Sequence, residues 1–192
     1  MKSFKYYMLA ACVRAMTYLN KRKGWTTNRH IVVIESDDWG SIRMPSLEVR
    51  NELISKGVNI DSCIYDRIDT LEANTDLELL MEVLDSVKDG CGNPAKMTLD
   101  CVVANPNFEK IKANGFVKYE YELFTETLKR YPHHDRVFEL WKEGIRHNVF
   151  RPQFHGREHL NAYLWLMLLQ DKQPEVMKAF DKGVISMDID KG

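Results

Sequence analysis

The sequence predicts an α/β protein with a parallel sheet. Short runs of β-branched and apolar residues alternate along the chain with segments whose apolar residues recur at helical spacing, and this alternation is typical of βαβ units. The first such run, residues 31–34, is apolar at every position, which is the pattern of a strand buried on both faces of a parallel sheet. The chain contains no internal repeat and no low-complexity stretch.

The N-terminal half is predicted to contain one strand and three helices. Residues 1–28 form an amphipathic helix, and residues 29–192 form the α/β domain, whose first strand is 31–34. A helical pattern opens at Pro45-Ser46 and ends at Gly57, and a second helix begins at Asn74-Thr75 and ends by Gly90. The residues between these two helices are polar and irregular in pattern.

The C-terminal half is predicted to alternate strands and helices. Strands are expected at 96–104, at 148–154 and at 184–189, and Pro152 marks the second of these as irregular or as an edge strand. Helices are expected between and after these strands, at 120–130, 135–145, 160–169 and 174–181.

Composition excludes several classes of protein. The 192 residues suit one domain or slightly more, and 27 Lys+Arg against 28 Asp+Glu give a net charge of −1, so a general nucleic-acid binder is not expected. The longest apolar run, 162–169, is far shorter than the roughly 20 residues that span a bilayer. The four cysteines form no CxxC pair, which indicates reduced thiols and no disulfide framework.

The N-terminal segment has two interpretations. Arg14 interrupts its apolar stretch, which is too short for a secretory signal, and we therefore expect a cytoplasmic protein. An amphipathic helix here either packs on the protein body or makes a peripheral contact with a membrane surface. The sequence leaves open whether the chain forms a homo-oligomer.

Polar clusters follow two of the predicted strands. Asp37 and Asp38 end the first strand, and the strand 148–154 runs directly into His155 and His159. Ligands of parallel α/β proteins bind at the carboxyl ends of the strands, and two histidines at positions i and i+4 can hold one cation from a helical face. We therefore predict a metal site of His155, His159 and one carboxylate of the Asp37-Asp38 pair, which leaves a coordination position for water and the other carboxylate free as a base.

These motifs resemble those of the polysaccharide deacetylase family, which is defined by NodB homology. That family has a strand ending in Thr-Phe-Asp-Asp-Gly and a later His-Ser/Thr-x-x-His, and here Asp37-Asp38 precedes Gly40 while His155 and His159 are four apart. Residues 96–99 also resemble a family strand, and residues 140–147 resemble the helix and Gly-His turn before its histidine motif. The resemblance covers roughly residues 30 to 190.

The resemblance implies both a fold and an activity. It implies a distorted (β/α) barrel, here incomplete because the strands are too few, so that further chain or a partner would have to complete it. It implies metal-dependent removal of N- or O-acetyl groups from a carbohydrate, with Asp37 as catalytic base and Asp38, His155 and His159 as metal ligands. Zn²⁺ is the expected metal, although these ligands also suit Fe²⁺, Mn²⁺, Co²⁺ or Ni²⁺.

The chain departs from the family pattern at three places. Trp39 separates Asp37-Asp38 from Gly40, where it either stacks on a sugar ring or walls the pocket. Residues 45–93 are a helical insertion, which we expect to form a lid or an oligomer contact. The family also has an arginine that orients the base and a histidine that acts as general acid, and neither has a clear counterpart here. Arg43 and Arg151 are candidates for the arginine and for substrate binding.

Three other functions fit parts of the sequence. One is a metal- or partner-binding module of the same fold without turnover. The second is a zinc peptidase of HxxEH type, in which Glu158 would be the base and the motif would lie on a helix. The third is a glycosyltransferase whose acidic motif ends the first strand, which would leave the histidines unexplained.

Overall fold

A computed structural model describes residues 2–21, 24–60 and 64–185, which fall into two units, Met1–Val33 and Ile34–Gly192. The first unit holds one helix, α1 (Lys2–Lys21), and its apolar residues Met8, Val13, Met16 and Leu19 are exposed. No helix among the described residues is long and apolar enough to cross a membrane.

The second unit is a mixed α/β structure. Its helices, in chain order, are α2 (Leu47–Ser55), α3 (Ile64–Ile68), α4 (Asn74–Ser86), α5 (Phe108–Ala113), α6 (Phe124–Leu128), α7 (Val137–Arg146), α8 (Ala162–Gln170) and α9 (Pro174–Phe180). Its strands are β1 (Glu35–Trp39), β2 (Met97–Val102), β3 (Ala104–Pro106), β4 (Tyr121–Leu123) and β5 (Phe150–Gly156).

Three of these strands form a parallel sheet in the order β1-β2-β5. Thr98 in the central strand lies opposite Glu35 on one side and Arg151 on the other. The prediction of an α/β fold with parallel strands is therefore confirmed. Among the residues that the structure describes, the strand pairings close no barrel.

The first strand begins later than the sequence predicts. The apolar run 31–34 was expected to be the strand, but β1 covers Glu35–Trp39, and Val32 is 86% exposed. The backbone pairing starts where the Ile34 carbonyl accepts a hydrogen bond of 2.9 Å from the Thr98 N–H. The polar residues of β1 become a strand because β2 supplies hydrogen-bond partners, a tertiary contact that overrides local preference.

The predicted helix 120–130 is also wrong in its first part. Residues Tyr121–Leu123 form β4, which pairs antiparallel with β3, and only Phe124–Leu128 are helical. The helix begins where the Phe124 N–H donates to the Val103 carbonyl at 3.0 Å, at the end of the central strand. The short helix α5 was not predicted.

A hydrophobic core joins the sheet to α4 and α7. Leu99 and Phe150 of the sheet are fully buried against residues of these two helices, which include Leu77, Leu84, Val137, Leu140 and Trp141. A Cβ placed on Gly144 of α7 would lie 2.1 Å from Phe150 Cδ2, so glycine allows the helix to approach β5 closely. Because α4 lies within residues 45–93, that segment contributes to the core.

A separate apolar cluster joins α5, α8 and α9 around Trp165 and Phe180. Val184 and Ile185 are buried but belong to no strand, and the rest of the predicted strand 184–189 lies outside the described residues.

Candidate metal centre

Asp38, His155 and His159 lie together at the carboxyl ends of β1 and β5. One ligand atom from each lies within 4.8 Å of the others. Asp38 Oδ1 is 3.8 Å from His155 Nε2 and 3.6 Å from His159 Nε2. The two imidazole rings stack, with centroids 4.7 Å apart and planes inclined by 27°. The structure thus brings together the three residues that the sequence nominated as ligands.

A bulge in β1 directs Asp38 towards the histidines. The register of β1 against β2 shifts between Ser36 and Trp39, and Asp38 has a φ of +62°. Aspartate tolerates this left-handed conformation better than most residues, and a bulge commonly redirects a side chain at a sheet edge. The Asp38 carboxylate is therefore placed by an irregularity that strand periodicity does not predict.

The two histidines are held by a strand and a loop, and not by one face of a helix. His155 belongs to β5, and His159 lies in the loop that follows Gly156. Gly156, the last residue of β5, has a φ of +141°, a conformation that residues other than glycine rarely adopt. The carbonyls of Gly156 and Arg157 then accept hydrogen bonds from Val103 N (3.2 Å) and Ala104 N (2.9 Å), which anchor the loop.

The Asp38 carboxylate has one satisfied and one unsatisfied oxygen. Oδ2 accepts a hydrogen bond of 2.8 Å from an Arg43 terminal nitrogen. Oδ1 is buried, and no described residue donates a hydrogen bond to it. A buried carboxylate oxygen without a donor is costly, and it is the oxygen that faces both Nε2 atoms. This arrangement fits a divalent cation bound between the three side chains.

Arg43 links Asp38 to a second carboxylate, Asp69. Arg43 Nε lies 2.9 Å from Asp69 Oδ2 in a part-buried ion pair. Burial raises the pKa of Asp69, the negative charges of Asp38 and Asp37 raise it further, and the Arg43 guanidinium opposes this rise. Asp69 lies in the irregular stretch of segment 45–93, and no sequence pattern marks it as part of the site.

Asp37, the predicted base, is exposed and lies beside the ligands in sequence. The negative charge of Asp37 raises the pKa of Asp69, so the Asp37 carboxylate lies close enough to interact with the acidic residues at this site. Asp37 differs from Asp38 in exposure, because the Asp38 side chain is only 18% exposed.

Asn105 holds the loop that follows β1. Its buried side chain donates to the Gly40 carbonyl at 2.9 Å and accepts from the Ile42 N–H at 3.1 Å. Gly40 has a φ of +84°, and a Cβ there would lie 2.8 Å from the Val102 carbonyl oxygen. The sequence predicted Asn105 only as the end of a strand. A polar residue at the carboxyl end of a parallel strand is the signal that could have marked it as part of the site.

Glu72 is a carboxyl group close to the same loop. Burial raises the pKa of Glu72 to about 7, against the opposing effect of the backbone N–H groups of Glu72 and Gly40. Burial, and secondarily the Glu72 charge, raises the pKa of the Cys101 thiol to about 12, so this thiol is not a nucleophile at neutral pH. The sequence contains no signal for this cluster.

Trp39 and Arg151 were, with Arg43, predicted to bind substrate, and that role stays a prediction. Trp39 is half-buried, and its ring meets Trp141 edge-on with centroids 6.1 Å apart. Arg151 donates to the Phe150 carbonyl at 2.9 Å and to the Asn148 side chain. Arg151 precedes His155 by four strand residues, about 13 Å at 3.3 Å per residue, so the structure does not bring it to the cluster.

Three further histidines, His133, His134 and His147, lie outside the three-residue cluster. His134 contacts the carbonyls of Pro132 and Leu71 through its ring nitrogens, at 2.6 and 3.3 Å. His147 caps the C-terminus of α7, before β5 begins, and His133 occupies a turn with a φ of +69°.

An apolar cavity of about 350 Å³ lies between α7 and the sheet. Its walls include Cys101, Phe124, Trp141 and Phe154. None of Asp38, His155 and His159 is among the residues that line this cavity.

Comparisons of the chain with protein-family models, with curated proteins and with solved structures found no match.

Proposed function

We propose that the protein is a metal-dependent hydrolase that removes acetyl groups from a carbohydrate, with Zn²⁺ as its expected metal. The observation that carries this proposal is the buried, donor-free Oδ1 of Asp38, which faces the Nε2 atoms of His155 and His159 at 3.8 and 3.6 Å.

The ligand set favours a catalytic site over a structural one. Two imidazoles and one carboxylate suit Zn²⁺, and they also suit Fe²⁺, Mn²⁺, Co²⁺ or Ni²⁺. Structural zinc sites have four protein ligands, whereas catalytic sites have three and bind water or substrate at the remaining position. His155 and His159 are 36% and 41% exposed, so a small molecule can reach them.

Asp37 and Asp38 have separate roles in this proposal. A divalent metal at the site would acidify a bound water and polarise the acetyl carbonyl. Asp38, held by Arg43, supplies a ligand oxygen. Asp37 is exposed beside it and accepts the proton that the water loses on attack.

The carbohydrate substrate and the barrel are inferred from motif resemblance. The three parallel strands with polar residues at their carboxyl ends support that inference, because barrel enzymes place their active sites there. We infer that these strands belong to a distorted and incomplete (β/α) barrel.

A metal- or partner-binding module without turnover is the second candidate. The observation that favours it is that the three histidines available as general acid have other places in the fold: His134 contacts two backbone carbonyls, His147 caps α7 and His133 lies in a turn. The peptidase alternative receives less support, because His155 and His159 lie on a strand and a loop, and Glu158 is paired with Arg157.

Acetate release from an N-acetylated oligosaccharide by the Zn²⁺-loaded protein tests the proposal. We expect Asp37→Asn to retain the metal and to lose activity by about 10²- to 10⁴-fold, the usual contribution of a general base. Asp85→Asn, at an exposed carboxylate of α4, is the matched control and is expected to keep full activity. A metal-loaded protein that releases no acetate from N- or O-acetylated sugars would instead support the binding module.

A further inference from the structure

We infer that Arg157 is a positioning residue that sets the spacing of His155 and His159 for metal binding. This inference rests on the proposed metal site and deepens it, because it names the contacts that hold His159, in the loop, at a fixed distance from His155, in β5. Arg157 lies between the two histidines in sequence and is not itself part of the ligand cluster.

The backbone around Arg157 is anchored to the end of the central strand. The Arg157 carbonyl accepts a hydrogen bond of 2.9 Å from the Ala104 N–H, at the start of β3. The preceding carbonyl, that of Gly156, accepts from Val103 at 3.2 Å. These two hydrogen bonds fix the backbone where the loop leaves β5. The conformation from Arg157 to His159 depends instead on side-chain contacts.

The side chain of Arg157 makes contacts that hold that path. Its guanidinium donates two hydrogen bonds to the Glu158 carboxylate, at 2.5 and 2.6 Å. The guanidinium carbon also lies 5.1 Å from the ring centroid of Tyr119 and 4.9 Å from that of Tyr121, within the range of cation–π interactions. Tyr121 belongs to β4, so the loop is attached to a second strand pair.

Glu158 makes the arginine necessary. The Glu158 side chain is only 7% exposed and directly precedes His159. A buried carboxylate without its cation is strongly unfavourable, so a chain that lacks the Arg157 charge is expected to move Glu158 towards water. His159 would move with it, because the two residues are adjacent. Arg157 therefore acts on the metal through the loop, as outer-shell partners of metal ligands do.

Titration with Co²⁺, monitored by its visible absorption, tests this role. We expect Arg157→Gln to weaken Co²⁺ binding by about 10- to 100-fold, the usual effect of losing an outer-shell partner, and to change the spectrum of the saturated protein. Arg157→Lys should recover part of the affinity, because lysine restores the charge but not the paired hydrogen bonds. A role in overall stability alone would not change the spectrum of the bound ion.

Arg136→Gln is the matched control, because Arg136 forms an exposed ion pair with Glu78 at 2.8 Å, away from the ligands. We expect it to bind Co²⁺ as the unmodified protein does. Tyr121→Leu, which removes one ring contact, is expected to weaken binding in the same direction and provides the test if Arg157→Gln does not fold. Unchanged affinity and spectrum in Arg157→Gln, or unchanged affinity in a folded Tyr121→Leu, would overturn the inference. Failure of the unmodified protein to bind Co²⁺ would overturn the proposed metal site as well.

Discussion

Arg43 donates a hydrogen bond of 2.8 Å to Oδ2 of Asp38 and leaves the other oxygen of that carboxylate to the two histidines. The same guanidinium forms an ion pair of 2.9 Å with Asp69. One arginine therefore neutralises part of an acidic group while one carboxylate oxygen remains available to a cation. This division of the Asp38 oxygens is the geometric basis of the proposed metal centre.

The coupling between Asp38 and Asp69 predicts a change in pKa. Burial raises the pKa of Asp69, the Arg43 guanidinium lowers it, and the charge of Asp38 raises it. We expect Asp38→Asn to lower the pKa of Asp69, because it removes a repulsive negative charge and keeps the ion pair between Arg43 and Asp69. Carboxyl ¹³C NMR titration measures this, with Asp85→Asn as the control that leaves Asp69 unchanged. A rise in the Asp69 pKa would contradict the charge arrangement described.

Gly40 is expected to be more sensitive to substitution than another glycine of similar conformation. Gly40 and Gly92 have φ values of +84° and +82°, but only Gly40 has atoms within 4 Å of an added Cβ, the nearest being the Val102 carbonyl oxygen at 2.8 Å. We expect Gly92→Ala to cost about 1–2 kcal/mol from backbone strain, and Gly40→Ala to cost about 1–3 kcal/mol more from overpacking. Urea unfolding measures both; equal losses would show that the close contact is unimportant.

Gly156 is expected to be required for metal binding as well as for stability. Its φ of +141° is one that alanine adopts only with strain of about 1–3 kcal/mol, while an added Cβ would meet His159 Nε2 no closer than 3.7 Å. Gly156→Ala should therefore lower both the free energy of unfolding and the affinity for Zn²⁺. Gly115→Ala, at a φ of +68° with open space around it, should leave Zn²⁺ affinity unchanged. Normal Zn²⁺ affinity in Gly156→Ala would show that the turn does not position the histidines.

Glu72 predicts a pH dependence of stability. Its pKa of about 7 in the folded protein lies above its ordinary value of 4.5, so the folded state binds the proton more tightly than the unfolded state. This group therefore contributes stability that is fully present below pH 4.5 and is lost as the pH rises to about 7. At about 1.4 kcal/mol per pKa unit, the rise from 4.5 to about 7 corresponds to a loss on the order of 3–4 kcal/mol.

Glu72→Gln removes that titration with little change in shape. We expect the variant to match the unmodified protein near pH 4.5 and to exceed it in free energy of unfolding at pH 8, as measured by urea unfolding across this range. Glu82→Gln, at an exposed position of α4, should show no such divergence. Parallel stability curves for Glu72→Gln and the unmodified protein would indicate that Glu72 does not titrate in this window.

Local sequence patterns predicted the parallel α/β class and a metal site of His155, His159 and one of two adjacent aspartates, and the family resemblance assigned Asp38 to that site. Both depend on features that repeat along the chain, namely apolar periodicity and polar residues at strand ends. The position of β1 was not predictable in this way, because Glu35–Trp39 form a strand only through pairing with β2. Likewise, His155 and His159 are four positions apart, which fits a helix equally well, and only the turn at Gly156 shows that they use a loop.

The residues around the ligands were less accessible to sequence reasoning. Asp69 and Glu72 come from segment 45–93, and their proximity to the site depends on tertiary contacts with the loop after β1. Arg151 was a candidate because it precedes the histidines, but strand geometry places it about 13 Å along β5 from His155. Its place beside the ligands is taken by Arg43, whose contacts with both Asp38 and Asp69 no local pattern specifies.

Metal stoichiometry is the most direct test of the central claim that Asp38, His155 and His159 hold one divalent cation. After dialysis against Zn²⁺, we predict one bound ion per chain, little or none in His155→Ala and in His159→Ala, and one in His147→Ala, which changes a histidine outside the cluster. Elemental analysis of the folded proteins measures this. Equal zinc content in all four proteins, or none in the unmodified protein, would contradict the account.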